Sequence, residues 1–219
     1  MDFLKKDYIL FDLDGTVVDT GKGIKNGIRF ALHHFGFPIK EGDSLDCFIG
    51  PPLSASIADY CGISPDETAD IISVYREYYS KTGIYECEVY PGIKDLFSLL
   101  KENGKVILIA TSKPEQFAET VLRTVGLWDF IDALGGATMD GTREKKADII
   151  EYVLGKIGGV DKSRAVLVGD RHYDIDGATA CSVSSVGVLW GYGSKEEFEE
   201  AGADMIVGDP EELGKLLVN

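Results

Sequence analysis

The stretch that decides the fold runs Tyr8-Ile9-Leu10-Phe11-Asp12-Leu13-Asp14-Gly15-Thr16. Its first four residues are apolar and do not alternate with polar ones, which is typical of a strand buried on both faces of a parallel sheet. Two aspartates follow this strand directly. Because ligands of open α/β sheets bind beyond the carboxyl ends of the strands, we expect residues 12–16 to belong to a functional site.

Other short apolar runs recur along the chain and are separated by helical patterns. The clearest runs are Val106–Ala110, Ala165–Val168 and Val186–Leu189, and weaker ones are Ile131–Leu134 and Met205–Val207. Between them, apolar residues recur at helical spacing, for example at 93, 96, 97 and 100. This alternation predicts an α/β fold with a doubly wound, Rossmann-like parallel sheet.

One long segment interrupts the alternation, because residues 20–83 show helical patterns and no strand. The sequence Ser64-Pro65-Asp66-Glu67 combines an N-cap serine, a proline at the first helical position and the glutamate of a capping box. We therefore expect a small all-α cap domain, residues 19–87, inserted into a catalytic core that comprises residues 1–18 and 88–219.

Charge and composition limit the partners of this chain. Its 219 residues are 44% hydrophobic, as in an ordinary globular protein, and its 22 basic and 37 acidic residues give a net charge of -15. Such a surface repels nucleic acid and anionic membranes, so we expect neither as a partner. A small molecule is the expected partner, and we expect the chain to be a monomer or a weak dimer.

The cysteines and the apolar runs indicate a location. Cys47, Cys61, Cys87 and Cys181 form no CxxC pair, which favours free thiols in a reducing compartment. The first residues lack the long apolar run of a signal peptide, and Val106–Ala110 is too short to span a bilayer. A cytoplasmic protein is therefore expected.

The paired carboxylates of Asp12 and Asp14 need an explanation, because like charges close together repel each other. A divalent cation is the simplest group that offsets them. A calcium loop does not fit, since it needs Asp or Asn at Thr16 and Gly at Val17. A surface turn rich in Asp and Gly remains an alternative.

A phosphate-binding Walker loop does not fit either. The stretch from Gly15 to Lys22 has one residue too many for that loop, and Gly23 stands where it has Ser or Thr.

Further polar residues follow two other predicted strands. Thr111-Ser112-Lys113 comes after Val106–Ala110, and Gly169-Asp170-Arg171-His172-Tyr173-Asp174 comes after Ala165–Val168. A hydroxyl with free N–H groups at a strand end suits phosphoryl oxygens, and Asp170 and Asp174 add two carboxylates near the first pair. Lys145-Lys146 opens a predicted helix, and one of these lysines would supply positive charge beside the carboxylates.

These motifs, in this order, resemble the haloacid dehalogenase superfamily, in its subgroup with a helical cap after the first strand. The resemblance covers essentially the whole chain and is nearest to phosphoglycolate phosphatase-like members, which Ile49-Gly50-Pro51-Pro52 and Gly191-Tyr192-Gly193 also suggest. Two positions depart from the family pattern. Ser112 stands where the family often has Asn, and Ser182 stands where a glycine is common.

The resemblance implies a magnesium-dependent phosphatase with a transient aspartyl-phosphate. Asp12 would be the nucleophile and Asp14 the general acid and base. Thr111 and Lys146, the latter preferred to Lys145, would complete the catalytic set, with Gly15 and Ser112 binding the phosphoryl group. Mg²⁺ would be held by Asp12, the backbone carbonyl of Asp14 and Asp170, with Asp174 bound through water or orienting that shell.

The substrate and the reaction leave alternatives open. The substrate would be a small phosphorylated metabolite, and phosphoglycolate, a nucleoside monophosphate, a sugar phosphate and pyrophosphate all remain candidates. A sugar phosphomutase would share every one of these catalytic residues. A phospho-accepting signalling domain is the alternative of another class, although it would need neither the helical insertion nor the second aspartate.

Overall fold

Six parallel strands form the central sheet of the computed structural model, which describes residues 2–39 and 42–218; the expected domain limits at residues 1 and 219 lie outside this part. The spatial order of the strands is β5-β4-β1-β6-β7-β8. Their bounds are β1 Tyr8–Phe11, β4 Val106–Pro114, β5 Ala133–Ala137, β6 Ala165–Gly169, β7 Ser184–Val188 and β8 Met205–Val207. The predicted doubly wound α/β fold is confirmed.

Nine α-helices in the described residues surround the sheet or lie in the inserted segment. Those of the insertion are α1 Gly21–His34, α2 Leu53–Cys61 and α3 Ala69–Lys81. The others are α4 Ile93–Glu102, α5 Glu115–Thr124, α6 Lys146–Ile157, α7 His172–Ala180, α8 Lys195–Ala201 and α9 Pro210–Val218. None of the helices in the described part of the chain has the length and apolar character needed to cross a membrane.

The first strand shows why its sequence does not alternate between apolar and polar residues. Ile9 and Phe11 belong to one apolar cluster, and Leu10 belongs to a second cluster with residues of α6 and α7. All three side chains are fully buried, because both faces of the sheet are covered. Each such side chain contributes about 1.5–3 kcal/mol relative to exposure.

Two strands differ from their predicted limits at the edge where the site lies. The fourth strand continues past Ala110 to Pro114, with a register shift between Thr111 and Pro114. The fifth begins at Ala133 and includes Gly135 and Gly136, which an apolar pattern does not reveal. A Cβ atom at Gly136 would lie 2.7 Å from the Lys113 carbonyl oxygen, so a glycine lets the two strands approach each other there.

A two-stranded antiparallel ribbon lies where the chain enters and leaves the inserted helical segment. It consists of β2 Val18–Asp19 and β3 Glu88–Val89, with Val18 opposite Val89. Inside the segment, the N–H of Ser64 donates to Glu67 at 2.9 Å, as the capping-box pattern predicts, although a short 3₁₀ turn precedes α3. Ser182 has a φ of 56°, in the left-handed region that favours glycine, which gives a structural reason for the family's glycine at this position.

Candidate active site

The sequence-predicted carboxylates converge where β1 and β6 end. Carboxylate oxygens of Asp12, Asp170 and Asp174 lie within 4.8 Å of one another, and all three side chains are buried. Asp14, two residues beyond Asp12, is buried as well. This convergence follows from the topology, because β1 and β6 are parallel neighbours whose carboxyl ends share one edge of the sheet.

Of the two candidate lysines, Lys146 is the one that reaches this cluster. Its Nζ lies 2.8 Å from Oδ1 of Asp12 and 2.7 Å from Oδ1 of Asp174, and it donates to the Ala110 carbonyl at 3.0 Å. Lys145 is the exposed N-cap residue of α6. The stem of Lys146 needs Gly177 of α7, since a Cβ atom there would lie 2.5 Å from its Cγ.

The cluster carries more negative charge than one ammonium group offsets. Burial raises the pKa of Asp12 to about 6; Asp174 and Asp14 add to the rise, and Lys146 opposes it. Burial, followed by the charges of Asp174 and Asp12, raises the pKa of Asp170 well above its usual range. Burial acts to lower the pKa of Lys146, but these carboxylates hold it above its ordinary value. A further cation would therefore stabilise the site.

The donor set fits a divalent cation of the magnesium type, which prefers oxygen ligands. Asp170 is positioned by two donors, Thr16 Oγ1 at 3.0 Å from Oδ1 and the Tyr192 N–H at 2.9 Å from Oδ2. Gly15 has a φ of 90°, and a Cβ atom there would lie 2.3 Å from Asp170 Oδ2, so only glycine leaves room for that carboxylate. Asp174, held by Lys146 and by the Arg171 N–H at 3.1 Å, is placed to orient such a site.

Asp14 is held by two residues that are not among those the sequence predicts for the site. Lys113 Nζ lies 2.8 Å from its Oδ1 and 2.9 Å from its Oδ2, and Thr20 donates to Oδ1 at 2.6 Å. Lys113 directly follows the quoted Thr111-Ser112 pair, so its place in the sequence was a usable signal. Thr20 gives no such signal, because it is an ordinary residue at the start of α1.

The predicted phosphoryl-binding residues Thr111, Ser112 and Gly15 differ in where the structure places them. Thr111 is buried and Ser112 half-buried, and both line the cavity described next. The N–H of Gly15 donates to the Val18 carbonyl at 2.9 Å. Gly15 also lets the loop approach Asp170 closely.

A cavity of about 100 Å³ lies between the sheet edge and the helical segment. Asp12, Asp14, Thr111 and Lys113 line it from the sheet, and Tyr75, Arg76 and Tyr79 of α3 line it from the other side. Hydrogen bonds also join the two sides around it, among them those of Arg171 with the Ile49 carbonyl at 3.0 Å, Arg76 with the Met139 carbonyl at 3.1 Å, and Ser54 with Glu144 at 3.2 Å. The carboxylates therefore lie between the edge of the sheet and the helices of the inserted segment.

Comparison with known proteins identifies relatives of this arrangement. Residues 9–188 match the family model of haloacid dehalogenase-like hydrolases. The chain is 35% identical to the tyrosine-protein kinase PtkA of Mycobacterium tuberculosis over 90% of its own length and 67% of that protein. It is also 35% identical to a 5'-nucleotidase of Pseudomonas aeruginosa, over 89% of this chain and 87% of the relative.

Phosphoglycolate phosphatases also match, among them that of Vibrio vulnificus, which is 29% identical over 95% of this chain and 93% of its own. Among solved structures, a protein of Clostridium acetobutylicum described as a predicted phosphatase superposes with a TM-score of 0.92. It is 37% identical, and the match covers 96% of this chain and 97% of that one.

Proposed function

Because the chain belongs to the haloacid dehalogenase-like hydrolase family and is a phosphoric monoester hydrolase, we propose that it works through an aspartyl-phosphate on Asp12 with Mg²⁺ as its cofactor. The observation that supports this most is the contact of Asp12 with Lys146 at 2.8 Å inside a cluster of buried carboxylates. A nucleophile, a fixed positive charge and a set of oxygen ligands thereby meet at one point.

The proposed first step forms a bond between Asp12 and phosphorus and breaks the ester bond. Asp14 gives a proton to the oxygen that leaves, and it later takes a proton from the water that attacks phosphorus and releases phosphate from Asp12. Lys146 and the hydroxyl of Thr111 stabilise charge on the phosphoryl oxygens, and the cavity excludes bulk water. Asp12, the Asp14 carbonyl and Asp170, with Asp174 orienting them, would hold Mg²⁺, which supplies further positive charge to the phosphoryl group.

The wider proposals rest on charge and on the architecture. We propose that the substrate is a small phosphorylated metabolite, that neither nucleic acid nor a membrane is a partner, and that the chain acts in the cytoplasm as a monomer or weak dimer. A net charge of -15 supports the exclusion of anionic polymers. The two-stranded ribbon at both crossings supports a core of residues 1–18 and 88–219 with a cap of residues 19–87.

A nucleotidase is the second candidate, and the relative that is 35% identical supports it. The PtkA relative points to transfer of the phosphoryl group to an acceptor other than water, as a sugar phosphomutase would also require. Pyrophosphate hydrolysis remains a further option. A phospho-accepting signalling domain would instead show a long-lived phosphoaspartate without turnover.

The test is phosphate release from a broad panel of phosphate monoesters, nucleotides and pyrophosphate, with Mg²⁺ and with chelator. Asp12→Asn should lower kcat by about 10⁴-fold or more, because the nucleophile is lost. Asp59→Asn, a change of the same kind on the exposed side of α2, should leave it unchanged. Release that persists in Asp12→Asn or in chelator would contradict the proposal.

A further inference from the structure

The ion pair of Lys113 with Asp14, the proposed general acid and base, lies in the wall of the cavity. Lys113 Nζ contacts both carboxylate oxygens of Asp14, at 2.8 and 2.9 Å, and its side chain is only 4% exposed. On its other side the ammonium lies 4.7 Å from the centre of the Tyr79 ring, which belongs to the cap helix α3. Lys113 is therefore held between the core and the cap, in the wall of the cavity.

This position places Lys113 in competition with the substrate. In the proposed mechanism the oxygen that leaves must approach a carboxylate oxygen of Asp14 within hydrogen-bond distance. Lys113 bridges both of those oxygens, whereas Thr20 contacts Oδ1 alone, at 2.6 Å. If Lys113 moves away, Thr20 can still hold the carboxylate while Oδ2 faces the substrate.

A buried ammonium group cannot give up its partner without a replacement, because an uncompensated buried charge is strongly unfavourable. Within residues 2–39 and 42–218, Lys113 forms an ion pair with Asp14 only. The other carboxylates of the cavity wall have partners of their own, since Asp12 pairs with Lys146 and Glu144 accepts from Ser54. The replacement would have to come with the substrate.

We propose that Lys113 is an exchangeable counter-ion, which pairs with Asp14 until the substrate binds and then with an anionic group carried by the leaving group. This inference rests on the proposed function and names its substrate class: small phosphate monoesters whose leaving group bears a carboxylate or a second phosphoryl group. Lys113 is thus a specificity-determining residue as well as a positioning residue for Asp14.

A further feature of the cavity supports this substrate class. Arg76, one turn before Tyr79 on α3, also lines the cavity and makes no ion pair with the described residues; its guanidinium donates only to the Met139 carbonyl. A second cation is thus available on the cap side.

The experiment uses three substrates with one two-carbon skeleton: 2-phosphoglycolate, ethane-1,2-diol bisphosphate and 2-hydroxyethyl phosphate. The native enzyme with Mg²⁺ should prefer at least one of the two anionic leaving groups to the neutral one by about tenfold or more in kcat/KM. Comparison of 2-phosphoglycolate with ethane-1,2-diol bisphosphate shows whether Lys113 recognises a carboxylate or a second phosphoryl group. Lys113→Met should abolish the preference, and Lys113→Arg should retain it.

Two other patterns of kcat/KM across these substrates would contradict the proposed role of Lys113. A native enzyme that shows no preference for an anionic leaving group would overturn it without any variant. An equal fall on all three substrates in Lys113→Met, with the preference kept, would show that Lys113 serves Asp14 alone. Binding to the Asp12→Asn protein gives a second readout, since the same preference should appear in Kd and disappear when Lys113→Met is added.

The failure of this inference can be told apart from failure of the proposed function. Magnesium-dependent release from other compounds of the broad panel, but from none of these three, would overturn the inference and leave the phosphatase mechanism standing. No release from any compound would count against both.

Discussion

Two buried lysines pair with aspartates in this site, and their surroundings differ. Lys146 has three acceptors, namely Asp12, Asp174 and the Ala110 carbonyl, all supplied by the core. Among residues 2–39 and 42–218, Lys113 pairs with one carboxylate, that of Asp14, and its ammonium group also lies beside the ring of Tyr79 from the inserted helical segment. Both ammonium groups are almost completely buried.

The number and the origin of the partners indicate what each lysine can do. Three acceptors at one edge of the sheet fix Lys146 whatever occupies the cavity, as an electrostatic stabiliser of the phosphoryl group requires. One carboxylate and one aromatic face, on opposite sides of the cavity, leave Lys113 sensitive to the substrate and to the position of the cap. We therefore expect substitution of Lys146 to affect all substrates equally and substitution of Lys113 to affect them selectively.

The largest expected effect concerns Lys146. Lys146→Met removes the charge nearest the nucleophile, and kcat should fall by about 10³-fold for every substrate that the native enzyme cleaves. The measurement is kcat and KM on the three two-carbon substrates, with Mg²⁺ at saturation. Lys145→Met is the matched control, since that neighbouring lysine is exposed and should be replaceable without loss.

A fall in kcat confined to the substrates with anionic leaving groups would contradict the contrast between the two lysines, because Lys146 would then recognise the leaving group as Lys113 is proposed to do. A loss as large in Lys145→Met would show that the assignment between the two lysines is wrong.

The next effect concerns stability and comes from the excess negative charge around Lys146. The folded pKa of Asp12, about 6, lies above its value in an unfolded chain, about 3.9. A carboxyl whose folded pKa is raised stabilises the fold fully below the unfolded pKa, and this contribution is lost as the pH rises through the folded pKa. In chelator, Asp12 should therefore contribute up to about 3 kcal/mol to the free energy of unfolding at low pH, and this contribution should be lost between pH 4 and pH 7.

Urea unfolding of native protein and Asp12→Asn at several pH values measures this contribution. The native protein should lose more stability with rising pH than the variant does, and Mg²⁺ should restore native stability at pH 7, because it offsets the ionised cluster. Parallel pH profiles for the two proteins would contradict the account, as would a native profile that Mg²⁺ does not change.

The sheet and its order of elements could be predicted because burial on both faces leaves a clear apolar signature at Tyr8–Phe11 and Ala165–Val168. The limits of β4 and β5 could not, since they depend on Gly136 allowing a close approach of two backbones, and no apolar pattern records such an approach. The short ribbon of Val18–Asp19 and Glu88–Val89 is equally invisible, because two residues per strand carry no periodicity.

The same contrast applies to the two lysines. The place of the Lys145-Lys146 pair could be predicted because it opens a helix at the edge where the carboxylates gather, and the resemblance to the family favoured Lys146 over Lys145. The contacts of Asp14 could not be predicted, because they come from Lys113 near the end of β4 and from Thr20 just before α1, which are far apart in sequence. The ring of Tyr79, which lies beside Lys113, belongs to α3, so which side chains meet there depends on how the inserted helical segment packs on the sheet.

The smallest expected effect concerns Thr20, which precedes α1 and donates a hydrogen bond to Asp14. Thr20→Val keeps the shape of this fully buried side chain but removes the hydroxyl that donates to Asp14 Oδ1 at 2.6 Å. A hydrogen bond to a charged group contributes about 1.5–3 kcal/mol, so kcat should fall about tenfold. Thr20→Ser keeps the hydroxyl and should retain most of the activity.

The pattern across substrates carries more information than the size of the fall. Thr20 contacts Asp14 and not the proposed binding position of the leaving group's anion, so the loss should be equal for 2-phosphoglycolate, ethane-1,2-diol bisphosphate and 2-hydroxyethyl phosphate. A selective loss would mean that Thr20 and Lys113 act on the substrate together, and the carboxylate of Asp14 would then lack the independent support that the exchange of Lys113 requires.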